Sequence, residues 1–192
     1  MSKAPAEFYS PERWQNWIER VREEDLDPED EESARLLLNM QDDTAIAVAK
    51  IVSAHEDGEL EEETALELIG EVREVVLAEV DLAEEDKLML VDGVQTSLVC
   101  VFVAAEQFVL EGPAESGSVE EYVQAAIDAE AEEDLDAALG YVSQAGTLVL
   151  GGEPLDRSLA EDVEYGLVAE WLNGLDSLQS AMVDPEVVEE VE

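Results

Sequence analysis

Two short stretches of this chain set similar polar side chains around a glycine. "LVDGVQTSL" places Asp92, Gln95 and Thr96 about Gly93, and "WLNGLDSLQ" places Asn173, Asp176 and Ser177 about Gly174. Carboxylate, amide and hydroxyl groups facing one another across two helices could hold a cation or a small polar molecule. "NMQDD" (Asn39–Asp43) could add a third wall through Asp43. A pocket of this kind would suit a small-molecule- or metal-dependent enzyme. A simpler reading is available. Glycine in a helix interior costs about 1 kcal/mol against alanine, so its presence there points to a close crossing of two backbones. Thr96 and Ser177 would then hydrogen-bond across the contact. The simpler reading is preferred, because buried polar networks between helices are commonly structural.

Other routes to chemistry are thin. His55 and Cys100 stand alone as histidine and cysteine. One of each excludes the usual zinc sets and the di-iron bundle, which needs two Glu-x-x-His motifs. "SAHEDGELEEET" puts Gly58 where a calcium loop needs its glycine. The ligand positions then fall on Ser53, His55, Asp57 and Thr64, and the closing glutamate is missing. Glu71 and Glu74 in "EVRE" have a spacing that could serve magnesium, as in an all-α pyrophosphatase. Among 51 acidic side chains such a spacing arises by chance. There is no glycine-rich phosphate loop and no G-x-S-x-G. No catalytic residue, metal site or cofactor is expected, and the balance is against an enzyme.

A binding surface is the better prospect. "FYSPERWQNWIERVR" gathers Phe8, Tyr9, Trp14 and Trp17, two of the three tryptophans, with Arg13 and Arg20. Residues 1–22 carry four basic side chains against three acidic ones, in a chain whose formal net charge is −42. Tryptophan and arginine dominate interface hot spots, and a nearly neutral patch lets a partner approach without repulsion. Equally, Trp14, Trp17 and Ile18 could clamp the helix to the core, and both readings can hold on opposite faces. Four cations are too few for salt-resistant nucleic-acid binding. The expected partner is a protein.

The elements that would position these residues are helices almost throughout. Ser10-Pro11 is a helix start, and Trp14, Trp17, Ile18 and Val21 follow at helical spacing. Asp27-Pro28 repeats the signal, and a long helix runs to Gly58. A third helix covers 60–79. Asp81 with Glu84 reads as a capping box for a fourth, to about Glu111, whose stripe of Leu88, Val91, Val94, Leu98, Val101 and Phe102 makes it central. "EGPAESGS" is the clearest loop and the one possible subdomain break, at 111–118. Helices at 119–132 and 135–149 follow, and a last one at about 156–182. The expectation is an all-α domain over 1–182, about seven antiparallel helices, with a disordered acidic tail at 183–192.

"EYVQAAIDAEAEEDLDAALGYVSQA" resembles a tetratricopeptide helix pair, with Tyr122, Ala125 and Ala126 in the first helix and Ala138, Leu139, Tyr141 and Ala145 in the second. A solenoid needs about three stacked repeats, and one is present, so a single helical hairpin is the reading. A peptide groove on it is the minor possibility.

Composition bears on habitat. Acidic residues alternate with apolar ones, lysines number three, and 46% of residues are hydrophobic. A solvated acidic surface of this kind suits molar salt, where the Debye length falls to about 3 Å and like charges cease to repel. "MSKAPAEFYS" lacks the apolar stretch of a signal peptide, and the longest apolar run, Leu98–Ala105, is short of the roughly 20 residues of a membrane span. A cytoplasmic protein is expected. Together, "PAEFYSPERWQNW", "SARLLLNMQDDTAIAVAKIV", "KLMLVDGVQTSLVCVF" and "EYGLVAEWLNGLDSLQSAM" resemble a family of acidic haloarchaeal proteins known as a domain of unknown function. The resemblance implies a halophilic cytosolic protein and transfers no activity or site residue.

Overall fold

Ser10 opens the first helix as its spacing predicts. Its Oγ accepts from the Arg13 backbone N–H at 3.2 Å, and Pro11 occupies the first turn, where no N–H is needed. The computed structural model describes residues 9–27, 29–161, 163 and 166–183. The helices are α1 (Pro11–Glu23), α2 (Glu31–Glu56), α3 (Glu62–Val76), α4 (Glu85–Glu111), α5 (Val119–Ala131), α6 (Leu135–Leu150), the single-turn α7 (Arg157–Glu161) and α8 (Leu167–Val183). No strand occurs among the described residues. The protein is all-α.

α4 is the axis of the fold. It packs against α2, α3, α6 and α8, and Val91, Val94, Leu98, Val101 and Phe102 are all buried. Leu88 departs from the expected stripe and is exposed. By length and composition α4 is apolar enough to cross a membrane, and here it serves as the core helix that four others cover. One apolar core draws residues from both sides of the 112–118 loop, from Trp14 and Ile51 to Val142 and Leu175. α5 and α6 pack on each other as the expected hairpin.

Glycines set two close helix crossings on α4. A Cβ at Gly174 would overlap the backbone carbonyl of Ser97, and one at Gly146 would lie 2.5 Å from the Ala104 Cβ. α8 therefore rides directly on the backbone of α4, and α6 on its Ala104 methyl.

Several boundaries differ from the sequence reading. α2 begins at Glu31, behind an Asp30 N-cap, rather than at the Asp27-Pro28 signal. α4 starts at Glu85 without a side-chain cap. Instead, the Asp81 carbonyl accepts from Arg22 Nη2 at 2.9 Å, and Glu84 lies 3.4 Å from the Lys87 ammonium. Lys87 is buried, its ammonium donating to the Arg22 carbonyl at 2.8 Å, so the turn is organised around α1 rather than around a local capping box. α3 ends at Val76, three residues earlier than expected. The expected last helix is two helices, broken before Gly166, whose φ of +122° ordinary residues avoid. The Glu130 carboxylate of α5 then accepts from the Leu167 and Val168 N–H groups at 2.6 and 3.4 Å, capping α8 from another helix. The expected tail at 183–192 lies, beyond Val183, outside the described residues.

Candidate functional site

The aromatic face of α1 is turned inward. Trp14 and Trp17 are 1% and 7% exposed, and Tyr9 is buried beside them. Burial pushes the Tyr9 phenol pKa far up. What fixes the helix is Asp43. This carboxylate, 2% exposed, accepts from Trp17 Nε1 at 2.8 Å and from Arg13 Nε at 2.6 Å, and Arg13 Nη2 closes a bidentate pair. Arg20 lies on the exposed side with its guanidinium 4.9 Å from the centre of the Trp17 ring. The outward side of α1 shows Glu12, Gln15, Asn16, Glu19, Arg20, Arg22 and Glu23. Phe8 lies outside the described residues.

The polar candidates near the two glycines part company in space. Asp43 holds α1. Gln95 Nε2 donates to the carbonyls of Val76 and Ala78 at 2.8 and 2.9 Å, closing the C-terminal end of α3. Asp92 and the Asn173 side chain are exposed, and Thr96 is half-buried. Ser97, not Thr96, stands between the helices, its Oγ 2.9 Å from the Gly93 carbonyl and 3.3 Å from the Glu170 carboxylate. Of the supposed third wall, Gln41 does reach α8. Its Nε2 donates to Ser177 Oγ at 2.8 Å and to the Asn173 carbonyl at 3.1 Å. Asp42 and Asp176 adjoin this contact. Burial, with a push from the Asp176 charge, raises the Asp42 pKa, while a hydrogen bond to Ser177 opposes the shift.

The lone ionisable groups have structural surroundings. His55 Nδ1 lies 3.0 Å from the Leu60 carbonyl at the end of α2. Burial drives the Cys100 thiol pKa far up, and its Sγ lies 3.1 Å from the Trp171 carbonyl. Among the described residues no three His, Cys, Asp or Glu side chains gather as a metal cluster.

A cavity of about 810 Å³ opens elsewhere, over the α5–α6 hairpin. Its floor is one face of α6, where Ala137, Gly140, Tyr141 and Gln144 recur at helical spacing. The end of α4 supplies a wall with Gln107 and Glu111, and the 112–117 loop forms the far side with Glu115. Three hydrogen bonds hold that shape. Gln144 Nε2 donates to Gln107 Oε1 at 3.3 Å, Thr147 Oγ1 accepts from the Ala114 N–H at 3.1 Å, and the Tyr122 hydroxyl donates to the Ser116 carbonyl at 2.8 Å. Gly117, at φ +86°, lets the loop close on the Tyr122 ring, where a Cβ would come within 2.9 Å. Among the described residues the lining holds Glu111 and Glu115 and neither lysine nor arginine. The last turn of α4 carries no basic residue, so its negative dipole end adds to these carboxylates. A second cleft, about 320 Å³, lies between Tyr9 and Pro11 and the Leu68–Val75 side of α3.

The model of a protein family described as uncharacterised and conserved in archaea, DUF2150, matches residues 7–191. The chain belongs to the DUF2150 family. The match takes in both the Asp43 anchor of α1 and every residue of the groove. No curated protein and no solved structure matches the chain.

Sequence reasoning singled out Tyr122 and Tyr141 and held a peptide groove on their hairpin as a minor possibility, but did not bring α4 or the 112–117 loop into it. Its signals were there: a Gly-Pro pair ending a long helix, and a glycine beside Tyr141 on a helix face otherwise made of small or polar residues.

Proposed function

We propose that this member of the DUF2150 family is a non-catalytic protein-binding module of a high-salt cytosol, and that its groove receives a basic segment of a partner protein. The observation that carries the reading is the pairing of Tyr122 and Tyr141 with Glu111 and Glu115 in one cavity that, among the described residues, has no cationic side chain. Aromatic faces and carboxylates together attract a cation, and charge complementarity of this kind selects partners more than it sets affinity. A second copy of the chain is a poor occupant, because it would bring another −42 charges. The docking role first considered for the Trp14 and Trp17 helix passes to α6, since those indoles are inside. A catalytic pocket between the glycine-bearing helices would need Asp43 and Gln95, which already hold α1 and α3.

The test is fluorescence anisotropy of a labelled lysine- and arginine-bearing decapeptide in 2 M KCl, where non-specific attraction is screened. Binding should be saturable and about tenfold weaker for Glu111→Gln/Glu115→Gln and for Tyr141→Ala, a size in keeping with loss of one charge-assisted contact. Equal binding by these variants, or none by the wild type, overturns the proposal.

A further inference from the structure

Gly140 has no internal reason to be a glycine. Helix interiors disfavour glycine relative to alanine, and some helical glycines have a reason in the packing. Gly146 and Gly174 have one, since Ala104 and the Ser97 carbonyl leave no room for a Cβ. At Gly140 a Cβ would meet nothing within 4 Å. Yet Gly140 lies on the floor of the groove, next to Tyr141, which is 40% exposed. The vacancy that the missing side chain leaves is on the side from which a ligand would come.

Resting on the proposed docking of a basic segment, we infer that the bare backbone at Gly140 is a seat for a planar guanidinium, so that the groove selects arginine over lysine. The chemistry of the surroundings fits a flat, forked cation. Arginine stacks on aromatic faces and pairs bidentately with carboxylates, and it is more weakly hydrated than the lysine ammonium. Tyr141 offers the ring and Glu111 and Glu115 the carboxylates. A Cβ at position 140 would lift a plane lying on the helix and weaken both interactions. A lysine ammonium, a compact point charge on a flexible stem, has no use for a flat seat.

Gly70 supplies the control. It too is a helix-interior glycine with nothing within 4 Å of its would-be Cβ, but it lines neither cavity described above. Two decapeptides, identical except that one carries four arginines and the other four lysines, are titrated in 2 M KCl against wild type, Gly140→Ala and Gly70→Ala. Thermal melts are recorded in parallel. Both variants should melt higher than wild type. The arginine peptide should bind wild type at least tenfold more tightly than the lysine peptide, Gly140→Ala should lose that preference, and Gly70→Ala should keep it. Equal affinity of the two peptides for wild type, or an undiminished preference in Gly140→Ala, overturns this inference while leaving the docking reading in place. Failure of both peptides to bind wild type overturns the docking reading and this inference with it.

Discussion

Trp17 donates its indole N–H to Asp43 across 2.8 Å, and the same buried carboxylate holds Arg13 in a bidentate pair. One side chain of α2 thus satisfies two polar groups of α1, while Trp14, Ile18 and Val21 bury the apolar face of that helix. Arg13 is in this respect part of the core's edge.

Asp43→Ala should therefore cost about 2–4 kcal/mol, because it leaves the Trp17 N–H and Arg13 without their acceptor. Trp14→Ala should cost about 3–5 kcal/mol as a cavity. Removal of residues 1–24 should collapse the fold, exposing the Asp43 surface and the apolar floor beneath α1. Thermal melts in molar KCl measure all three. A truncated protein that melts within a few degrees of the whole chain would contradict the anchoring role.

The helix crossings make opposite predictions for one kind of substitution. Gly174→Ala pushes against the Ser97 backbone and Gly146→Ala against Ala104, so each should destabilise by about 1–3 kcal/mol through overpacking. Gly70→Ala meets nothing and should stabilise by about 0.5–1 kcal/mol. Denaturant titrations that give the same sign at all three positions would refute the assignment of the crossings.

Asp42 has a raised pKa in the folded chain, burial being the main cause and the Asp176 charge the second opposing influence on ionisation. The folded state therefore holds this proton more tightly than the unfolded one. Its favourable contribution is complete below the ordinary aspartate pKa, near 3.9, and disappears as pH rises through the folded value. Asp42→Asn should accordingly stabilise the protein at pH 7, and the gain should shrink as pH falls towards 4. A gain that is constant between pH 7 and pH 4 would show that Asp42 ionises as freely as in the unfolded chain.

Salt should act on the whole molecule. With 51 acidic side chains against 9 basic ones, self-repulsion is severe in dilute buffer. Helical circular dichroism should fall on dialysis into 10 mM buffer and return in molar KCl, where the Debye length is about 3 Å. Unchanged ellipticity in the dilute buffer would remove the case for halophilic adaptation.

Local signals were legible and distant ones were not. Ser10-Pro11 and the stripe of Val91 to Phe102 are written within a turn or two of sequence, and each has its expected place. The break at Gly166 escaped notice because Leu159, Val163 and Leu167 keep helical spacing straight through it, and the cap that rewards the break, Glu130, is 37 residues from Leu167. Gly93 and Gly174 look alike in sequence but not in space. Gly174 meets a carbonyl, whereas at Gly93 the nearest atom to a Cβ is a Glu170 oxygen 3.9 Å away. Asp43 was read as one wall of a pocket because its true partners, Arg13 and Trp17, belong to a helix that spacing alone cannot orient. The groove needed the 112–117 loop to be laid over α6, and the Ala114–Thr147 bond that does so spans 33 positions.

The cap that Glu130 places on Leu167 and Val168 has a bearing on time. A helix whose first N–H groups are satisfied by another helix cannot be finished until that helix is in place. On a ribosome α5 and α6 emerge before α8, so the receiving carboxylate is already waiting when the last helix appears. Until then the α4 backbone at Ser97, which Gly174 will cover, lies open to water. The nascent chain is thus sealed along its central helix only once α8 is made, and a chain interrupted before residue 167 would present that bare seam to the rest of the cell.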